Sequence, residues 1–174
     1  MSNVKEFIRK VFGRKREPGI TVAQALAGLP EAYMVFNAVL YDHSGIDHIV
    51  FSRKQGLFLI NAPAERGTVT CSGKHLLIND KERSDIIKKA LKDTFWLKST
   101  IRERIGLDVP ITPVVAYENA SVAVRQPLIG VTVLEAKDVL DALLHAPEKS
   151  ILEDGVVMVL RELHGTHTIS YRSV

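Results

Sequence analysis

Cysteine is almost absent from this 174-residue chain, which has only Cys71. A single thiol excludes an intrachain disulfide and cannot build a thiolate zinc site. Long apolar runs are missing too: no stretch approaches the ~20 residues that a membrane-spanning helix needs. The N-terminus lacks the apolar core and small-residue cleavage site of a secretory signal, so cytoplasmic residence is the expectation. No Gly-x-Ser-x-Gly occurs; Ser44-Gly45 and Ser72-Gly73 read as turns instead of nucleophile elbows. His164-Gly165-Thr166-His167 has metal-like spacing but no carboxylate or thiolate beside it, and reads as a tail. Internal repeats, low-complexity stretches and long linkers are also lacking.

What remains is ordinary globular composition, 46% hydrophobic and 25% charged, in a chain long enough for one well-buried domain. The net charge of +3 is unevenly placed. Residues 1–17 hold six basic and two acidic groups, a net +4, against 17 basic and 18 acidic in the remainder, a net −1. The body of the protein is therefore no generally basic surface. Val4, Phe7, Ile8, Val11 and Phe12 follow i, i+3, i+4, i+7, i+8 spacing, which predicts a basic amphipathic helix over residues 1–18, ended by Pro18-Gly19. Such a stripe at 4–12 packs on the body, joins a partner or second copy, or lies peripherally on an anionic membrane. Residues 19–174 then form a single domain.

Thr21 can cap a short helix, Val22 to Leu29, stopped by Pro30. Tyr33 to Tyr41, Ile46 to Ser52, Leu57 to Ile60, Thr68 to Cys71 and His75 to Ile78 read as a run of four or five antiparallel strands. Ser84 is the expected cap of a long helix to about Ile105, with Ile87, Leu91, Thr94, Phe95, Leu97, Ile101 and Ile105 on its apolar face. Trp96 is expected in the core. Val114 to Tyr117 is a buried-type strand; Ser121 to Val124 and Ile129 to Leu134 are two more. Ala136 to Leu144 and Ile151 to Leu163 read as helices. The order predicts an α+β fold, a mixed sheet flanked by helices.

The centre of the chain carries a more specific pattern. Ile46-Asp47-His48-Ile49-Val50 is followed by Gly56-Leu57-Phe58-Leu59-Ile60, then by Gly67, Lys89-Ala90, Pro113-Val114-Val115-Ala116 and Val131-Thr132-Val133. Together with Leu29-Pro30 before Tyr33-Met34-Val35-Phe36, this resembles the nuclease-related domain, or NERD, family over roughly residues 19 to 163. The resemblance implies a restriction-endonuclease-like fold of the PD-(D/E)XK type. It also implies four polar site positions, of which the central aspartate is kept as Asp47. The early Gly-Glu falls at Gly19-Ile20, the glutamate after the apolar strand at Asn61, and the lysine two residues later at Pro63.

Those replacements remove chemistry. Mg²⁺ prefers carboxylates and water, and phosphodiester cleavage uses the metal to activate water and stabilise charge. Asn61 offers a neutral carbonyl; Pro63 offers neither a side-chain donor nor a backbone N–H. The expectation is a catalytically inactive binding or assembly module with no cofactor, in which Asp47 hydrogen-bonds a loop. The alternative is a weak metal-dependent nuclease using Mg²⁺ or Mn²⁺. In it, Asp47 is the metal ligand, and continued extension through residues 61, 63 and 65 brings Glu65 in as replacement. Lys54, Arg66 or Lys74 would then stand in for the lost lysine. His48 points to the opposite strand face from Asp47 and reads as structural. Residues 81–104 hold eight basic and four acidic groups with no interleaved aromatic platform. Lys88 and Lys92 on that helix are the candidate contacts for weak nucleic-acid binding.

Overall fold

In the computed structural model the described residues are 19–149, 151 and 154–165. The amphipathic segment 4–12 lies outside them. Among the described residues, nine strands form two sheets. The first has the order β1-β2-β3-β7-β9, with β1 Tyr33–Tyr41, β2 Ser44–Ser52, β3 Gly56–Asn61, β7 Ile111–Tyr117 and β9 Thr132–Glu135. Its first three strands are antiparallel, while β3, β7 and β9 run parallel. The second sheet has the order β6-β5-β4-β8, from β4 Arg66–Ser72, β5 His75–Ile78, β6 Lys81–Glu82 and β8 Asn119–Val122. The four helices are α1 Val22–Leu26, α2 Ser84–Ile105, α3 Val139–Leu144 and α4 Asp154–Gly165.

The mixed α+β architecture is as the sequence predicts, but the single antiparallel run is not. The chain leaves the first sheet after Asn61, passes Pro63, and starts a new sheet at Arg66. Proline cannot donate to a ladder, so the run breaks there. All six residues of β3 are buried, which explains its apolar run from Leu57 to Ile60: it is covered on both faces. Ile49, Leu57 and Leu59 pack under Leu97 and Ile101 of α2 and Val156 and Leu160 of α4. Val50, Phe58 and Ile60 meet α1 and α3 on the opposite face. A third cluster joins the second sheet to the first half of α2 through Val69, Leu76, Ile87 and Tyr117.

Turn chemistry fixes the strand registers. Asp42 and His43 have φ of 39° and 62° between paired Tyr41 and Ser44, a two-residue hairpin of the twist that matches the strands. Asn79 and Asp80 (φ 50° and 63°) do the same before β6, a strand with no sequence signal. Gly67, at φ 116°, has no room for a side chain: a Cβ would lie 2.1 Å from Asn79 Oδ1. That amide occupies the space, accepting from the Thr68 N–H at 2.9 Å and donating to the Arg66 carbonyl at 3.2 Å.

Helix starts depart from expectation in two places. Thr21 does cap α1, accepting from the Gln24 N–H while Gln24 Oε1 accepts from the Thr21 N–H. Ser84, however, is the first helical residue of α2, and its hydroxyl donates to Glu82 instead of capping. The last helix begins at Asp154, not Ile151, whose N–H instead bonds the Arg53 carbonyl at 2.9 Å. Phe95 is the main error on α2: it is 73% exposed. The buried stripe runs through Ile86, Ile87, Ala90, Asp93, Leu97 and Ile101, which leaves Phe95 on the outer side.

Candidate functional site

The central aspartate and the residues aligned with the lost glutamate and lysine lie at one end of the first sheet. Asp47 sits exposed on β2, and its Oδ2 accepts the Ala62 N–H at 2.7 Å. Ala62 offers the last backbone donor before Pro63, so this bond clamps the chain as it leaves β3. Across the ladder stands Ala38, between the pairs Asn37–His48 and Val39–Ile46, with φ of 53°. A left-handed alanine is uncommon, and it bends β1 opposite Asp47.

Behind Asp47 lies a network that no sequence motif announces. Asp93 of α2 is fully buried, a charge in the middle of an apolar stripe. Its Oδ1 accepts the Tyr41 hydroxyl. Its Oδ2 accepts Asn61 Nδ2 at 3.0 Å and Lys89 Nζ at 2.6 Å. Lys89 and Asp93 are four residues apart on one helix, the spacing that places side chains on the same face. The Lys89 ammonium also donates to the Gly45 carbonyl at 2.7 Å and reaches Asn61 Oδ1 at 3.5 Å. An ammonium has three donors, and here all three have acceptors within the protein.

Tyr41 closes the network from β1. Its ring stacks on Trp96 with centroids 4.0 Å apart and 12° between planes. Trp96 is thus half-buried beside the main core. Burial, and then the Asp93 carboxylate that holds its proton, push the Tyr41 hydroxyl up to about 12. Tyr41, Gly45 and Lys89 line an open hollow beneath the β1–β2 hairpin, through which solvent reaches the half-exposed Lys89.

The other sequence candidates are dispersed. His48 bonds Asn37 Oδ1 through Nδ1 at 2.7 Å, and desolvation lowers its pKa despite Asp47 and Glu118 nearby. Extension stops at Asn61, and Glu65 is held by Arg83 at 2.8 Å. Ile20 is exposed beside Gly19, where a Cβ would lie 2.7 Å from the Glu118 carbonyl. Glu118 itself accepts the Val22 N–H at 2.9 Å, satisfying the start of α1. Of the three basic residues proposed as stand-ins for the lost lysine, Lys54 pairs with Glu148 at 2.9 Å, at the opposite end of β2 from Asp47. Lys88 and Lys92 are exposed on α2, on one face with Phe95. The helix therefore presents an aromatic ring next to its basic groups, which corrects the sequence reading.

A divalent metal finds no fitting donor set here. Among the described residues no group of three or more His, Cys, Asp or Glu side chains is placed to hold a metal ion. Asp47 offers one carboxylate, already engaged by Ala62, while Asp93 is sealed and Asn61 is turned towards it. Sequence reasoning missed Tyr41, Lys89 and Asp93. The available signal was an acidic residue at an apolar-stripe position with a lysine one turn before it.

Among known families, the nuclease-related domain matches residues 13–117, more than half of the chain. The same comparison with curated proteins and with solved structures finds no match. The matched segment spans β1 to β7 and α2, so it contains Asp47, Asn61, Lys89 and Asp93. The chain belongs to the nuclease-related domain family.

Proposed function

We propose that this member of the nuclease-related domain family is catalytically inactive and serves as a binding or assembly module. The observation that carries the reading is the closed network. The one lysine beside the former Glu-x-Lys position has its three donors taken by Gly45, Asn61 and Asp93. A cleavage centre needs polar groups whose partners are supplied by substrate, water and metal. Here Asp93 neutralises the cation, and Asp47 fastens the backbone after β3.

The outer face of α2 supports weak, salt-sensitive nucleic-acid contact without cleavage, through Lys88, Lys92 and the exposed Phe95 ring. Anisotropy with a labelled single-stranded oligonucleotide should show binding that weakens steeply with salt and further in Lys88→Ala/Lys92→Ala. Assembly or peripheral membrane contact is assigned to residues 4–12; a chain beginning at Gly19 should lose self-association and vesicle binding together.

The alternative is a weak metal-dependent nuclease with relocated residues. It is favoured by one observation: Lys89 lies 3.5 Å from Asn61 Oδ1, beside the position where the family glutamate falls. Cleavage of labelled single- and double-stranded DNA and RNA in Mg²⁺ and in Mn²⁺ separates the readings. The inactive reading predicts no cutting in any condition. Metal-dependent cutting abolished by Asp47→Ala would overturn it.

A further inference from the structure

The opposite end of the parallel strands holds a hollow of about 350 Å³ that the polar centre does not touch. Its floor is the outer half of the sheet, with Phe58 of β3, Val114 of β7 and Leu134 of β9 on one face. Leu143 of α3 makes one wall. The other is a strap, residues 145–149 with Ile151, that returns from α3 to the β2–β3 turn. Two backbone bonds hold the strap in place, from the Lys149 N–H to the Lys54 carbonyl and from the Ile151 N–H to the Arg53 carbonyl, both 2.9 Å. Gly56 makes this approach possible: at φ 97°, a Cβ there would lie 3.2 Å from the Lys149 Cβ. The wall is thus built by the fold.

The polar groups of the hollow are few and convergent. Lys149 lines it, with its ammonium 2.8 Å from Thr112 Oγ1. Thr132, on the neighbouring strand, has no hydrogen-bond partner for its hydroxyl among the described residues. Gln55 is nine-tenths buried at the inner end. Its Oε1 accepts from Ser52 at 2.8 Å, and its amide nitrogen has no protein partner among the described residues. At the rim, His145 Nδ1 lies 3.0 Å from an Asp141 carboxylate oxygen, and Lys149 brings an ammonium to the lining.

An apolar enclosure of this size, with one cation and unpartnered donors at hydrogen-bonding positions, has the composition of a small-ligand site. We propose that it binds a small organic anion with an apolar body, such as a medium-chain carboxylate. The carboxylate would sit at Lys149 and Thr112, and the hydrocarbon would lie over Phe58, Val114 and Leu134. This goes beyond the function proposed above and does not depend on whether the polar centre cleaves.

Calorimetric titration of the full chain with sodium octanoate tests it, with acetate and 1-octanol as partial probes. The expected result is saturable 1:1 octanoate binding, with acetate silent and octanol about tenfold or more weaker. Lys149→Met should weaken octanoate about tenfold and leave octanol unchanged. Ala142→Trp, a change at an exposed lining position, should block both. Circular dichroism checks that each variant is folded. No saturable octanoate binding, or binding that survives both substitutions, would overturn the proposal.

Discussion

The two ends of the central parallel strands use polar groups in opposite ways. At the C-terminal ends, Asp47, Asn61, Lys89 and Asp93 satisfy one another or the backbone. At the N-terminal ends, the Gln55 amide nitrogen and the Thr132 hydroxyl stand in an apolar hollow without hydrogen-bond partners among the described residues, while Gln55 Oε1 accepts from Ser52. The difference is one of availability. A charged residue whose hydrogen bonds are completed by the protein stabilises the structure; a donor left over in an enclosure is what a ligand can use.

Breaking the closed end should have the largest effect. Asp93→Ala removes the acceptor shared by Tyr41, Asn61 and Lys89, and should cost about 3 kcal/mol in urea unfolding, tempered by the half-exposed lysine. A loss below about 1 kcal/mol would mean that Asp93 is not the keystone of the network. Asn61→Asp comes next. It places a second carboxylate where the amide now donates to Asp93 at 3.0 Å. Stability at neutral pH should fall by roughly 2 kcal/mol and recover in acid as the pair takes up a proton. Recovery by Mn²⁺ at neutral pH instead would show that the centre still accepts a metal, and would erase the contrast.

Asp47→Ala sharpens the comparison from its exposed side. One hydrogen bond to a solvent-accessible carboxylate is lost, worth about 1 kcal/mol or less, and the melting temperature should drop only slightly. The last prediction concerns Tyr41 and shows only in alkali. Its hydroxyl stays protonated in the folded chain from the ordinary value of 10.0 up to about 12, while the unfolded chain ionises first. The contribution is therefore whole below pH 10 and declines as pH rises through about 12. Tyr41→Phe should remove that decline from the stability profile, as read by denaturation at stepped alkaline pH.

Much of the fold was legible because it is local. Strands β1 and β5 match their sequence bounds, and the buried-type strand expected at Val114 to Tyr117 is buried within β7. Pairing was not legible: Ile111 to Tyr117 gives no sign that it runs parallel to β3, and Lys81–Glu82 forms a strand only because the Asn79-Asp80 turn returns it to β5. The site was half visible. Asp47, Asn61 and Pro63 follow from motif alignment. Lys89 and Asp93 depend on the rotational phase of α2, and a shift of about 100° per residue decides whether Lys88, Lys89 or Lys92 faces the centre. The same phase error put Phe95 in the core, where the fold exposes it.

The central claim is that the fold has absorbed the polar centre. The most direct measurement is a crystal soaked in Mn²⁺ and read by anomalous scattering at Asp47. No ordered metal should appear there, and the Ala62 N–H should remain bonded to Asp47. An ordered Mn²⁺ held by Asp47 and a second carboxylate would contradict the claim.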